Sequence, residues 1–364
     1  MGQSDTKSTM KGPITTIQGA GAGRRQVRIL FSCAGRRIEL IQAFIRAARS
    51  LGLKADLHAA DAEEHIAAAC LTHHMHQVPS TNSPAYIPTL LQIAEREKID
   101  LVIPLLDTEL LKLSRARDRF AQVGCAAIIS SPRVVRICRD KLVLFDFFTR
   151  VGIDTPMTWS PDEILRRKRH DFPYFLKPRC GSASKGNHIV RNKADLKALV
   201  PRVPDAIIQE FVPGIEHTLD VYAGYDGQPR CVVPRERIEI RGGEVTKART
   251  VKHRAIMETG ARVVEALGDC QGLITIQLIL TPEGQIRVIE VNPRFGGGVP
   301  LAIHAGAHFP KWLLAEWLGR KPRIRMDHFE DGVMMLRYHQ SFFRNGLFSV
   351  QADSVQGKKR RTRR

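Results

Sequence analysis

Three oxygen-bearing side chains, Gln277, Glu290 and Asn292, are spaced to act together. They lie in LITIQLIL (273–280) and IRVIEVNP (286–293), two apolar runs joined by a turn whose Pro282 and Gly284 signal a hairpin. A turn centred between Glu283 and Gly284 puts Gln277 opposite Glu290, and the two-residue period of a strand puts Asn292 on the same face as Glu290. Carboxylate and amide oxygens suit Mg²⁺, which takes a few protein oxygens and completes its octahedron with water and phosphate. The same pattern fits polar residues on the open face of a half-buried sheet. The next residues along the chain favour the metal: Arg294 stands just beyond Pro293, in reach of a transferring phosphoryl group, and Gly296, Gly297 and Gly298 offer backbone N–H groups to an anion.

Upstream, FLKPRCGSASKG sets Lys177 at the end of a strand, before a loop of Gly181, Ser182, Ser184 and Gly186 able to fold its amides over phosphate oxygens. The lysine precedes the glycines, so this is not a Walker P-loop, and a flexible lid is the implied element. Taken alone, the segment fits a surface turn equally well. In the polar stretch PRERIEIRGGEVTKART, Arg235, Arg237, Arg241 and Arg249 include candidates for a bidentate carboxylate clamp, with Arg235 and Arg249 the expected pair. Arg36 is a further candidate for an anionic group, and fits an exposed helix start as well.

These residues need a scaffold. VRILFSC, a glycine turn and IELIQAFIRAARSLG read as strand, turn and helix, followed by a strand to Asp61, a helix over 86–97, the strand LVIPLLD and a helix over 108–123. Alternating strands and helices predict an α/β, doubly wound parallel sheet, with Ser32–Arg37, Asp61 and Asp107–Glu109 around the crevice at its carboxyl edge. AGRR lacks the later glycines of a dinucleotide fingerprint. After Cys138, apolar strands bounded by Pro and Gly predict antiparallel α+β structure. The expected division is a disordered leader over 1–25, a first domain over 26–137, a second over 138–330 with its lid at about 142–208, and an appendage over 331–364.

The composition is that of a globular chain with sizeable cores: 364 residues, 43% hydrophobic. No apolar run is long enough for a membrane span, and the first residues lack the apolar core of a secretory signal, so a cytoplasmic protein with no membrane partner is expected. MGQSDT also fits a myristoylation start at Gly2. Seven scattered cysteines without a C-x-x-C pair argue against a disulfide framework or a cysteine zinc site. His73, His74 and His76, without a carboxylate or cysteine at ligand spacing, read as part of a solvated loop. The net charge is +19, of which KKRRTRR at the end carries six. That charge suits anionic small molecules; a nucleic-acid role through the tail is the less favoured reading.

Taken together, the motifs resemble the ATP-grasp superfamily, in the branch similar to the large subunit of carbamoyl-phosphate synthase, over roughly residues 27–325. The resemblance implies a pre-ATP-grasp Rossmann-like domain followed by a two-part ATP-grasp fold. It implies that Lys141, in CRDK, and Lys177 bind phosphate, and that Glu210 with the backbone of Phe211 and Val212 meets adenine. It further implies that Glu216 takes the ribose hydroxyls, that Gln277, Glu290 and Asn292 hold the metal, and that Arg294 stabilises the phosphoryl group. ATP is then the cofactor with Mg²⁺, in two ions, Mn²⁺ being a substitute. Such enzymes phosphorylate a carboxylate and pass the acyl group to an amine or other nucleophile, releasing ADP and phosphate. The partners implied are that small-molecule carboxylate and nucleophile, and a homodimer is compatible. The stretch FGGGVPLAIHAGA replaces the serine- and lysine-containing segment of carbamoyl-phosphate synthase, and there is neither tandem duplication nor glutaminase portion. A carboxylate–amine ligase is therefore expected ahead of a carbamate- or bicarbonate-phosphorylating enzyme, and ahead of an ATP-binding protein associated with nucleic acid.

Overall fold

The structure, a computed structural model, describes residues 24–181, 186–343 and 351–352. Most of the expected leader, Ser182, Ser184 and the basic tail lie outside the described residues.

Strand β1 (Gln26–Ser32) is apolar on both faces. Val27, Ile29 and Phe31 share a core with Ile41 and Phe44 of α1 (Ile38–Ser50), while Leu30 packs in a second core with Leu90 and Ile93 of α2 (Tyr86–Arg96). A sheet buried on both sides must be covered by helices on both sides. It is completed by β2 (Lys54–Asp61), β3 (His74–Gln77), β4 (Leu101–Pro104) and β5 (Ala126–Ala127), all parallel, in the order β3-β2-β1-β4-β5. The two-residue strand Gln351–Ala352 extends its β3 edge. Two expectations change here. The helix expected over 108–123 is two, α3 (Leu110–Arg115) and α4 (Arg117–Gln122), broken at Ala116, whose ψ of 2° leaves the helical path. The histidine triplet is not a solvated loop: His74 and His76 are in β3, and His76 is fully buried.

Helix α5 (Pro132–Arg139) starts on the Ser131 cap, and α6 (Lys141–Val151) on Asp140, whose Oδ1 accepts the N–H groups of Leu142 and Val143 at 3.1 and 3.2 Å. Arg179 grips the same carboxylate with two hydrogen bonds of 2.7 Å. A side-chain cap of this kind stabilises a helix start by about 1 kcal/mol, and here it fixes Lys141 as the first helical residue.

A small antiparallel sheet comes next, built from β6 (Thr158–Trp159), β7 (Tyr174–Pro178), β8 (His188–Val190) and β9 (Ala206–Glu210) in the order β6-β9-β7-β8. With α7 (Pro161–Leu165) and α8 (Lys193–Leu199) it encloses its own core around Ile164, Tyr174, Leu176, Leu196 and Ile208. Helix α6, expected within the lid, instead sends Leu144, Phe147 and Phe148 into the large core.

The second antiparallel sheet comprises β10 (Ile215–Ala223), β11 (Pro229–Arg241), β12 (Glu244–Thr250), β13 (Gly272–Leu280), β14 (Ile286–Asn292) and β15 (Met334–Leu336), in the order β14-β13-β10-β11-β12-β15. β15 comes from the expected appendage. One face, with Leu219, Val221, Val232, Ile274 and Ile276, packs on α9 (Arg254–Leu267). The opposite face carries Thr218, Asp220, Arg235, Thr250 and Thr275, all buried, together with Gln277 and Glu290. Alternation along the strands thus makes one face core and the other a polar floor. Helices α10 (Val299–His304) and α11 (Phe309–Trp317) dock on α1, so the parallel and the larger antiparallel sheet share one core.

Candidate active site

The hairpin brings its three oxygen donors together. Gln277 is the cross-strand partner of Glu290, and Thr275 of Asn292. The expected turn centre was off by half a residue: Leu280 pairs with Ile286, Ile279 with Arg287 and Leu278 with Val288, so the turn is centred on Glu283. A bulge at Ile289 adds one residue to β14 and restores the pairing that brings Gln277 opposite Glu290. Neighbouring β10 contributes Glu216, whose Oε1 accepts from Gln277 Nε2 at 2.9 Å and from Arg237 Nη1 at 2.6 Å. The amide nitrogen of Gln277 is thereby occupied, which fixes the orientation of its carbonyl oxygen.

Two lysines stand over Glu290. Lys141 donates to the Gly181 carbonyl at 2.8 Å and lies 3.7 Å from Glu290 Oε1, tying the start of the glycine loop to the floor. Lys177, at the end of β7, is buried; desolvation brings its amine down to about 8, with Glu290 opposing that shift and Lys141 adding to it. Lys141, Lys177 and Arg237 stand against the carboxylates of Glu290 and Glu216, so the site is short of negative charge, the condition that polyanion binding relieves.

Arg294 reaches across to the parallel sheet. Its Nε and Nη2 donate to the two carboxylate oxygens of Asp107, each at 2.9 Å. Burial opposes both charges, yet each partner holds the other ionised: Arg294 is raised, Asp107 lowered. Of the expected crevice, Gly35 and Asp61 do meet, the Gly35 N–H donating to Asp61 Oδ2 at 3.0 Å. Glu109 instead turns inward, accepting from Tyr86 and from the Leu105 and Leu106 N–H groups. The arginine that enters from the first loop is Arg37. Burial, followed by the nearby Arg294, brings its guanidinium down to about 10, and its Nη1 lies 3.3 Å from where a Cβ on Gly297 would sit. Arg36 points outward to Glu244.

The expected carboxylate clamp is not assembled. Arg235 is 1% exposed, and its fork is spent on Asp220 at 2.7 and 3.1 Å. Gly298 packs directly on that guanidinium, with a Cβ there 2.2 Å from Nη1, while Gly296 lies on Thr275. Arg249 pairs with Glu236 across β11 and β12, one residue out of phase with Arg235 and Thr250, and so belongs to the other face of the sheet. Arg237, two residues beyond Arg235, is on the site's face. Its Nε is buried without a hydrogen-bond partner. The two-residue period could have singled it out from sequence once the face of Arg235 was fixed.

The adenine hinge expected at Glu210, Phe211 and Val212 joins β9 of the small sheet to β10 of the large one. Glu210 accepts from the Met157 N–H at 3.0 Å and from Arg287 at 2.7 Å. Of the glycine loop, Gly181 and Gly186 both pack over Pro178.

This arrangement has known relatives. Residues 138–298 match the ATP-grasp domain, and residues 29–128 match the PylC-like N-terminal domain. The two matches place a PylC-like N-terminal region ahead of an ATP-grasp region along the chain. It is 24% identical over 222 residues to a carbamoyl-phosphate synthase of Methanobrevibacter smithii, a match covering 57% of this chain and 60% of that protein. It is 25% identical over 269 residues to a 3-methyl-D-ornithine–L-lysine ligase of Methanosarcina barkeri, covering 73% and 68%. The chain thus spans roughly two thirds or less of the length of these relatives. In three dimensions it resembles an L-amino acid ligase from Bacillus licheniformis, with a TM-score of 0.65 at 19% identity over 81% of this chain and 75% of that one. Among the described residues, no helix is long and apolar enough to cross a membrane.

Proposed function

We propose that this chain is an ATP-dependent carboxylate–amine ligase. The observation that carries the proposal is the convergence of Lys141 and Lys177 on Glu290, itself paired with Gln277 across the hairpin. The donor set fits Mg²⁺: a carboxylate and two amide oxygens, with room for water and phosphate as further ligands. Gln277, Glu290 and Asn292 would hold Mg²⁺, proposed as two ions, and the metal would supply charge neutralisation at the phosphate oxygens.

The chain's own residues do the rest. Lys141 and Lys177 bind phosphate oxygens, Glu216 takes the ribose hydroxyls, and the hinge at Glu210–Val212 holds adenine. The small sheet, hinged there, closes as the lid and excludes water. In the first step a substrate carboxylate oxygen attacks the γ-phosphorus and ADP leaves. In the second, an amine nitrogen attacks the acyl carbon, phosphate leaves with the bonding pair of the broken C–O bond, and the nitrogen gives up its proton. Arg294, exchanging Asp107 for the phosphoryl oxygens, stabilises the charge of the first step. Arg237 and Arg37 replace Arg235 and Arg249 as the residues proposed to meet the anionic substrate.

The test is a screen: the protein with MgATP and pooled amino acids and organic acids, reading ADP release and new masses. Acceptor-dependent ADP release with a condensation product supports the ligase. Turnover stimulated by bicarbonate alone would replace it with a carbamate- or bicarbonate-phosphorylating activity.

A further inference from the structure

On the parallel sheet, away from the nucleotide site, β2 and β3 present one face made of Asp56, His58, His74 and His76. The parallel register pairs His58 with His74 and Ala60 with His76, so these alternate positions stack in two columns on the same side. The opposite side, with Leu57, Ala59 and Met75, is core.

Three histidine nitrogens lie near one carboxylate oxygen, that of His73 Nδ1 at 3.8 Å being the most distant. His58 Nε2 lies 3.7 Å and His74 Nε2 3.6 Å from Asp56 Oδ1, and all three atoms are within 4.8 Å of one another. The edges of a tetrahedron of ligands about 2.0–2.1 Å from a zinc ion are about 3.3 Å long, so a small rotation of the half-exposed His74 ring closes the set. His58 is 1% exposed, and its Nε2 is buried without a hydrogen-bond partner while aimed at this point. A buried imidazole nitrogen left unpaired is destabilising, and a cation there would satisfy it.

The surroundings complete the arrangement. His58 Nδ1 is 3.0 Å from His76 Nε2, a contact that orients a ligating ring from behind. Ligation requires His58 to donate its Nδ1 proton to His76. Arg96 Nη2 sits 3.5 Å from His76 Nδ1, at the outer limit of a hydrogen bond. Arg28 Nε approaches the other oxygen of Asp56, Oδ2, at 3.7 Å, leaving Oδ1 to the rings. His73 is excluded as an Nδ1 ligand, because that atom accepts the Leu57 N–H at 3.0 Å.

We propose that Asp56, His58 and His74 form a binding site for a borderline first-row divalent cation, zinc in class, that clamps β2 to β3 and leaves one position for water. Two imidazoles and a single carboxylate favour such ions over Mg²⁺.

The experiment uses the full chain, stripped with chelator and held in excess Mg²⁺ so that the oxygen-donor site is filled. It is titrated with Co²⁺ by visible absorption and with Zn²⁺ by competition and thermal melting. The expected result is one equivalent of Co²⁺ with a d–d spectrum that Zn²⁺ displaces, and a Tm raised by Zn²⁺. His74→Ala, at a half-exposed position, should weaken Zn²⁺ by more than about 100-fold and abolish the rise in Tm, while its metal-free circular dichroism and Tm match wild type. Asp56→Asn should weaken binding in the same direction. Wild-type protein that takes up no Co²⁺ or Zn²⁺ would overturn the proposal, as would His74→Ala keeping wild-type affinity and the rise in Tm.

Discussion

Arg294 and Asp107 join the two halves of the molecule: the guanidinium from the end of the β13–β14 hairpin and the carboxylate after β4 meet in two hydrogen bonds of 2.9 Å. Both are largely buried, at 14% and 9% side-chain exposure. Removing one partner of a buried pair leaves the other uncompensated. Asp107→Ala should lower the unfolding free energy by about 3–5 kcal/mol, read by urea titration, and Asp107→Asn by less. Arg294→Lys, which keeps a charge but loses the fork, should lower kcat for ADP release by about 10²-fold with the KM for ATP little changed. A variant with lowered affinity and normal kcat would assign Arg294 to binding instead.

Lys177 gives the site a pH limit. Its amine titrates at about 8 in the free protein, first because burial disfavours the charge and then because Lys141 repels it, against the pull of Glu290. The charged form exists below that value and is lost as pH rises through it. The kcat/KM for ATP, which reports the free enzyme, should therefore fall above about pH 8. In Lys177→Arg, whose guanidinium stays charged, the break should vanish even if the plateau is lower.

The hinge depends on one glycine. Gly214 follows Val212 and Pro213 at φ +151°, and a Cβ there would lie 2.4 Å from the Leu280 carbonyl oxygen, a backbone atom that cannot step aside. Gly214→Ala is expected to separate β10 from the end of β13 and cost more than about 2 kcal/mol, with hydrogen exchange accelerated over Ile215–His217 rather than in the parallel sheet.

The sequence exposed most of this where chemistry and period coincide in one short segment. Gln277, Glu290 and Asn292 share a hairpin, so strand alternation alone converges them, and the bulge at Ile289 was invisible because it cancelled the error in the turn centre. The alternation in residues 26–127 likewise sufficed for the doubly wound sheet. What stayed hidden depends on parity or on distant pairing. Arg249 looked equivalent to Arg235 because both are arginines in one polar stretch, yet their numbers differ by an even count across an antiparallel pair in which 235 faces 250. Arg294 meeting Asp107 is a contact over 187 residues. The Asp56, His58 and His74 cluster draws on two parallel strands whose register no local spacing encodes.

Whether ATP reacts at Glu290 and Lys177 is tested most directly by acceptor-dependent ADP release by wild type, Glu290→Gln and Lys177→Ala under the same MgATP and acceptor mixture. Each variant should lose at least about 10²-fold of the wild-type rate while keeping its circular dichroism spectrum. Undiminished ADP release by the folded variants would contradict the site.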